Sequence, residues 1–91
     1  MDLGEIRQEI DKIDEELVKL FCARMALSAQ VADYKKANHL PIFVPAREQA
    51  ILETVSEKAG PDLAPYTQNL YRTIFELSRS YQSQRNGEVA P

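Results

Sequence analysis

The stretch Ile6–Lys35, IRQEIDKIDEELVKLFCARMALSAQVADYK, decides how the chain folds. A seam recurs through it at Ile6, Ile10, Ile13, Leu17, Leu20, Arg24, Leu27 and Val31. Alternating steps of four and three residues are the spacing of an apolar stripe on a helix packed against other helices. Arg24 stands at one of those seam positions. Lys35 follows eleven residues later, about three turns at 3.6 residues per turn, so it points the same way. A charge on a buried face is costly unless something pairs with it. Two cations on one face therefore point to an anion as the missing partner, and a bound ligand is one source of it. Plainer readings stand beside this one. Arg24 can snorkel to water or pair with a core carboxylate, and Lys35 can simply favour a helix C-terminus.

Around this stretch the composition sets limits. The chain has 91 residues, enough for one small domain, and 44% of them are hydrophobic. Its formal net charge of −3 argues against a nucleic-acid or membrane-surface partner, for which a basic balance is expected. A basic site would be a local pocket in an acidic protein. One cysteine, Cys22, rules out an internal disulfide and fits a reducing compartment. The first residues, MDLGEIRQEI, are charged and amphipathic, with no signal-peptide core. No run approaches the ~20 apolar residues of a membrane span. The expectation is a soluble, cytoplasmic protein.

Residues from about Asp2 to Ala37 contain no proline, and good helix formers dominate them. They predict one helix roughly 50 Å long at 1.5 Å per residue. A compact monomer of this size has a radius of gyration near ~12 Å. The helix would project from such a body with its seam wet, so a dimer built on it is the geometric expectation. Asn38-His39-Leu40-Pro41 ends the helix. Pro45 suits the first position of a second helix, whose apolar face is Ile51, Leu52, Val55 and Ala59, with Glu48 on the same face. Gly60-Pro61 stops it. A third helix begins after Pro61 or Pro65 and runs to about Gln84, with Leu70, Ile74, Leu77 and Tyr81 inward and Tyr71 and Phe75 alongside. The fold class is all-α, with three helices per chain and no strand. Residues 1–84 form the domain, and residues 85–91 read as a flexible tail or the start of a linker.

Several polar residues share the apolar faces. Glu48 either serves a ligand or neutralises Arg24, and Arg47 beside it reads equally as a solvated residue. Ser78 and Gln82 are four apart on the third helix and so neighbour each other. A buried serine often bonds back to a helical carbonyl. A buried glutamine must satisfy two donors and an acceptor, which makes it harder to dismiss. Arg7 lies off the seam centre, about 25 Å from Arg24 and about 42 Å from Lys35 along a straight helix. It reads as a surface arginine unless an antiparallel second chain brings it to Lys35. His39 and Cys22 do not make a metal site. With three glycines in all, the chain has no glycine-rich phosphate loop. Neither a covalent nucleophile nor a metal is expected.

Taken in order, Arg7, IDKIDEELVKLFCAR ending at Arg24, VADYKK with Lys35, PIFVPAREQAIL with Arg47-Glu48, then Ser78 and Gln82, closely resemble the all-helical chorismate mutases. The match covers about residues 5 to 84. It is similar to the mutase domain of bifunctional chorismate mutase–prephenate dehydratases and to stand-alone mutases. The resemblance implies an intertwined homodimer that turns chorismate into prephenate within aromatic amino-acid biosynthesis, without a cofactor. It implies that Arg24, Arg7 of the partner chain and Ser78 hold the substrate carboxylates. Lys35 and Gln82 would donate to the ether oxygen, Glu48 would accept from the ring hydroxyl, and Arg47 would brace the site. The Val44 backbone N–H is also expected near that hydroxyl.

One position departs from the pattern. Many relatives carry an aspartate where this chain has Val44, and losing such a helix cap costs ~1 kcal/mol. The expectation is a less ordered helix start with activity retained. Two other functions compete. An isochorismate pyruvate-lyase-like enzyme would share the arginines, lysine and glutamine but tends to lack a glutamate like Glu48. A non-catalytic regulatory or dimerising module would not need the full polar set.

Overall fold

The computed structural model describes residues 1–87 and consists of three helices. These are α1 (Leu3–Ala37), α2 (Pro45–Ala59) and α3 (Ala64–Arg85). Residues 88–91, part of the expected tail, lie outside the described residues. No described helix is long and apolar enough to cross a membrane.

Local chemistry explains each boundary. Asp2 caps α1 by accepting from the Glu5 N–H at 2.8 Å. At the other end the Leu40 N–H reaches the Lys35 carbonyl at 2.8 Å and the His39 N–H reaches that of Lys36 at 3.4 Å. This pair of bonds is a Schellman closure, with His39 in the left-handed region (φ 56°) that glycine more often fills. Val44 stands at the N-cap of α2 and makes no side-chain capping bond, so Pro45 with its preset φ starts the helix alone. Gly60 ends α2 at φ 82° and ψ 167°, a conformation essentially confined to glycine. Pro65 falls in the first turn of α3.

α3 is the central element. It packs against both α1 and α2, which do not pack on each other. Its contact with α1 uses small residues: Ala32 is fully buried and Ser28 nearly so, with Phe75, Ser78, Gln82 and Ser83 buried on α3. Arg85 in the last turn of α3 donates to both carboxylate oxygens of Asp33 on α1, at 3.0 and 3.1 Å.

One expected face holds and one needs correction. The α1 seam is wet in the single chain, as the length of the helix foretold: Ile6, Ile10, Ile13, Leu17, Leu20, Leu27 and Val31 are all exposed. Leu70 and Leu77 are exposed too, because α3 turns the stripe through Phe75, Ser78 and Gln82 inward, one residue round from the expected one. Apolar periodicity finds a stripe but not the element it faces. Every residue from Met1 to Leu20 is exposed, so the first half of α1 projects from the body. The radius of gyration is 16.1 Å and the longest extent 53 Å, against ~12 Å for a compact chain of this length.

The bare start of α2 makes a simple prediction. Val44→Asp supplies the missing cap and a favourable charge for the helix dipole, and should stabilise the protein by about 1 kcal/mol in urea denaturation. An unchanged midpoint would show that Pro45 alone sets this helix start.

Candidate active site

A cavity of about 300 Å³ opens between the second half of α1, the start of α2 and the end of α3. The α1 wall supplies Arg24 and Lys35, with Ser28 between them. Val44, Arg47 and Glu48 come from the α2 side, and Ser78 and Gln82 from α3. All the residues singled out in the sequence thus line one space, with the exception of Arg7. Arg7 stands on the projecting half of α1, about 25 Å from Arg24 along the helix, and is not brought to this cavity within the chain.

Arg24 is half-buried and held in place. Its Nη1 donates to Ser78 Oγ at 3.1 Å. Its guanidinium carbon lies 6.0 Å from the Tyr71 ring centre and 5.8 Å from that of Phe75, within cation–π range. Ser78 Oγ also lies 3.3 Å from Ser28 Oγ, so its hydroxyl is shared between both helices rather than spent on its own helix. Lys35 Nζ donates to the Ile42 carbonyl at 2.8 Å, which ties the connection between α1 and α2 to the end of α1. An ammonium has three donors, so that bond leaves two for a ligand. Gln82 is 7% exposed, and its Oε1 is enclosed without a hydrogen-bond partner among the described residues. An unpaired buried acceptor of this kind costs about 1–3 kcal/mol.

Charge is concentrated here. Arg24, Lys35, Arg47 and Arg79 face one carboxylate, Glu48. Glu48 does not neutralise Arg24, the plainer alternative drawn from the sequence. It pairs instead with Arg79, both side chains being largely shielded. Among the described residues Arg24, Lys35 and Arg47 have no acidic partner. A net-acidic chain therefore presents a cleft with three cations unpaired among the described residues, which suits a ligand with more than one negative charge.

Sequence reading missed Arg79. Its only signal is position: four residues after Phe75 and three before Gln82, it shares their inward face. Among the described residues no cluster of three histidine, cysteine or acidic side chains stands ready to hold a metal ion.

Comparison with known proteins bears on this constellation. The profile of the family described as chorismate mutase type II matches residues 6–83, nearly the whole chain. The chain belongs to the chorismate mutase type II family. Among curated relatives, the T-protein of Haemophilus influenzae is 44% identical over 61 residues, covering 64% of this chain and 16% of its own length. A bifunctional chorismate mutase/prephenate dehydratase of Enterobacter agglomerans is 36% identical over 75 residues, 80% of this chain and 19% of its own. The chorismate mutase of Methanocaldococcus jannaschii is 40% identical over 53 residues, 58% of this chain and 54% of its own. The chain thus spans about half the length of that protein and under a fifth of the other two. No solved structure gives a significant match.

The bond from Lys35 to Ile42 can be tested directly. Lys35→Met should speed amide hydrogen exchange across residues 38–44 while α3 stays as protected as before. Unchanged exchange in that connection would mean that the Schellman closure holds it without the lysine.

Proposed function

We propose that this protein is a chorismate mutase, an isomerase converting chorismate to prephenate in phenylalanine and tyrosine biosynthesis. The observation that carries the reading is the cavity in which Arg24, Lys35, Ser78 and Gln82 converge with no acidic partner for the cations among the described residues. Family membership supplies the substrate that fits it. Chorismate carries two carboxylates, and its rearrangement breaks one C–O bond as one C–C bond forms within the same molecule. Such a step needs no nucleophile, no proton shuttle and no cofactor.

Two physical tasks remain for the protein. It must hold a flexible dianion in its folded-over reactive shape, which is a matter of positioning. Arg24, assisted by Ser78, grips one carboxylate. The protein must also stabilise negative charge growing on the ether oxygen. Lys35 and the Gln82 amide N–H₂ donate to that oxygen, and a preplaced donor in a shielded site is worth roughly 3–4 kcal/mol. Glu48 accepts from the ring hydroxyl, the Val44 N–H lies near it, and Arg47 braces the pocket mouth.

The site is completed by a second copy of the chain in an intertwined homodimer. The exposed seam and the projecting half of α1 support this, since large apolar surface is favourable to cover. Antiparallel long helices bring Arg7 of each chain to the other's cavity, where it grips the second carboxylate. The protein works in the cytoplasm, without nucleic-acid or membrane partners.

Lys35→Ala and Gln82→Ala should each lower kcat by about 10²–10³-fold with the dimer intact by sedimentation. Full activity in either would remove its assigned role. Sharing of the site has its own test. Mixing inactive Arg7→Ala and Lys35→Ala chains by unfolding and refolding should restore about a quarter of wild-type activity, because each mixed dimer holds one undamaged site. No recovery would mean that Arg7 does not cross between chains.

A further inference from the structure

Arg79 belongs to none of the roles above. Its Nη1 donates to Glu48 Oε2, and its guanidinium carbon lies 4.7 Å from the centre of the Phe43 ring. It therefore joins three parts of the chain: α3, the start of α2 and the connection that precedes α2. The side chains of Arg79 and Glu48 are only 23% and 22% exposed, so water screens the pair weakly. A second cavity, of about 290 Å³ and bordered by Pro45, Leu52 and Arg72, lies against the same pair. The Arg79–Glu48 pair is thus a wall shared by two spaces.

A glutamate on a flexible stem among several cations will fold onto whichever binds it best. In this cavity the competitors are Arg24, Lys35 and Arg47. Were Glu48 to pair with one of them, it would cancel a charge the ligand needs and carry its own acceptor away from the wall. Arg79 prevents both. It holds Oε2 by a charge-assisted bond, and Phe43 holds Arg79 in turn. Oε1 has no hydrogen bond among the described residues and is the oxygen left to accept from a ligand. We infer that Arg79 is a positioning residue that fixes Glu48 at the cavity wall and so keeps it from neutralising Arg24, Lys35 and Arg47, leaving Arg24 free for a substrate carboxylate and Lys35 for the ether oxygen.

The inference rests on the chorismate mutase reading and deepens it. Its consequence is that Glu48 becomes an inhibitor of its own site once Arg79 is lost. Arg79→Met should raise KM for chorismate about tenfold, with unchanged secondary structure by circular dichroism. Adding Glu48→Gln to that variant should then lower KM again, to within about twofold of Glu48→Gln alone. Arg79→Lys, which keeps the charge, should recover most of the lost affinity. A residue that only supports the fold would instead give losses that accumulate in the double variant. Should Arg79→Met fail to fold, Phe43→Leu removes one of the arginine's two contacts and should raise KM two- to threefold only where Glu48 is present. A KM unmoved by Arg79→Met, or one that stays raised in the double variant, overturns the inference while the wild type still turns over chorismate. Absence of turnover by the wild type overturns the mutase reading and this inference with it.

Discussion

A cluster of cations without acidic partners among the described residues is the constraint on which the rest of this structure depends. Arg24, Lys35 and Arg47 line one cavity, and the single carboxylate beside them is taken by Arg79. Like charges in a shielded cleft oppose folding unless a fixed framework holds them apart. The framework here is specific. Arg24 leans on Ser78 and on the faces of Tyr71 and Phe75, and Lys35 on the Ile42 carbonyl. Neutral groups thus orient the cations without cancelling them, and the unmet charge is available to a dianion.

The same constraint relates function to architecture. Cations at the far end of α1 are useful only if that helix is rigid and α3 is close to it. Ala32 and Ser28 provide the closeness, because small side chains let the two helices approach until Ser28 and Ser78 are 3.3 Å apart. The near half of α1 has no such packing, and Leu20 is 68% exposed. One chain therefore builds a well-defined cavity at one end and leaves an uncovered apolar helix at the other. In the proposed dimer these two features serve each other, since the bare half of one chain carries Arg7 to the cavity of the next.

Much of this was legible in the residues. The four-three spacing from Ile6 to Val31 foretold a single long helix, and Arg24 and Lys35 stood out because a charge on a buried face is costly without a partner. Ser78 and Gln82 were found by the same test, and Val44 was correctly read as an uncapped helix start. Two things were not legible. Leu70 and Leu77 were read as inward because they are the most apolar stripe of α3, yet the intrachain contact uses the more polar stripe beside it. The choice depends on what each stripe meets, which no single helix encodes. Arg79 was passed over because its partner Glu48 lies 31 residues away and its other contact, Phe43, sits in an irregular connection. Only the fold brings those three together, and it sets aside the plainer alternative in which Glu48 neutralises Arg24.

The most direct measurement is to incubate the purified protein with chorismate, follow the loss of its ultraviolet absorbance and identify the product by NMR. The account predicts prephenate, formed at a rate proportional to protein concentration and without added metal or cofactor. A folded protein that leaves chorismate unchanged, or that releases pyruvate instead, would contradict it.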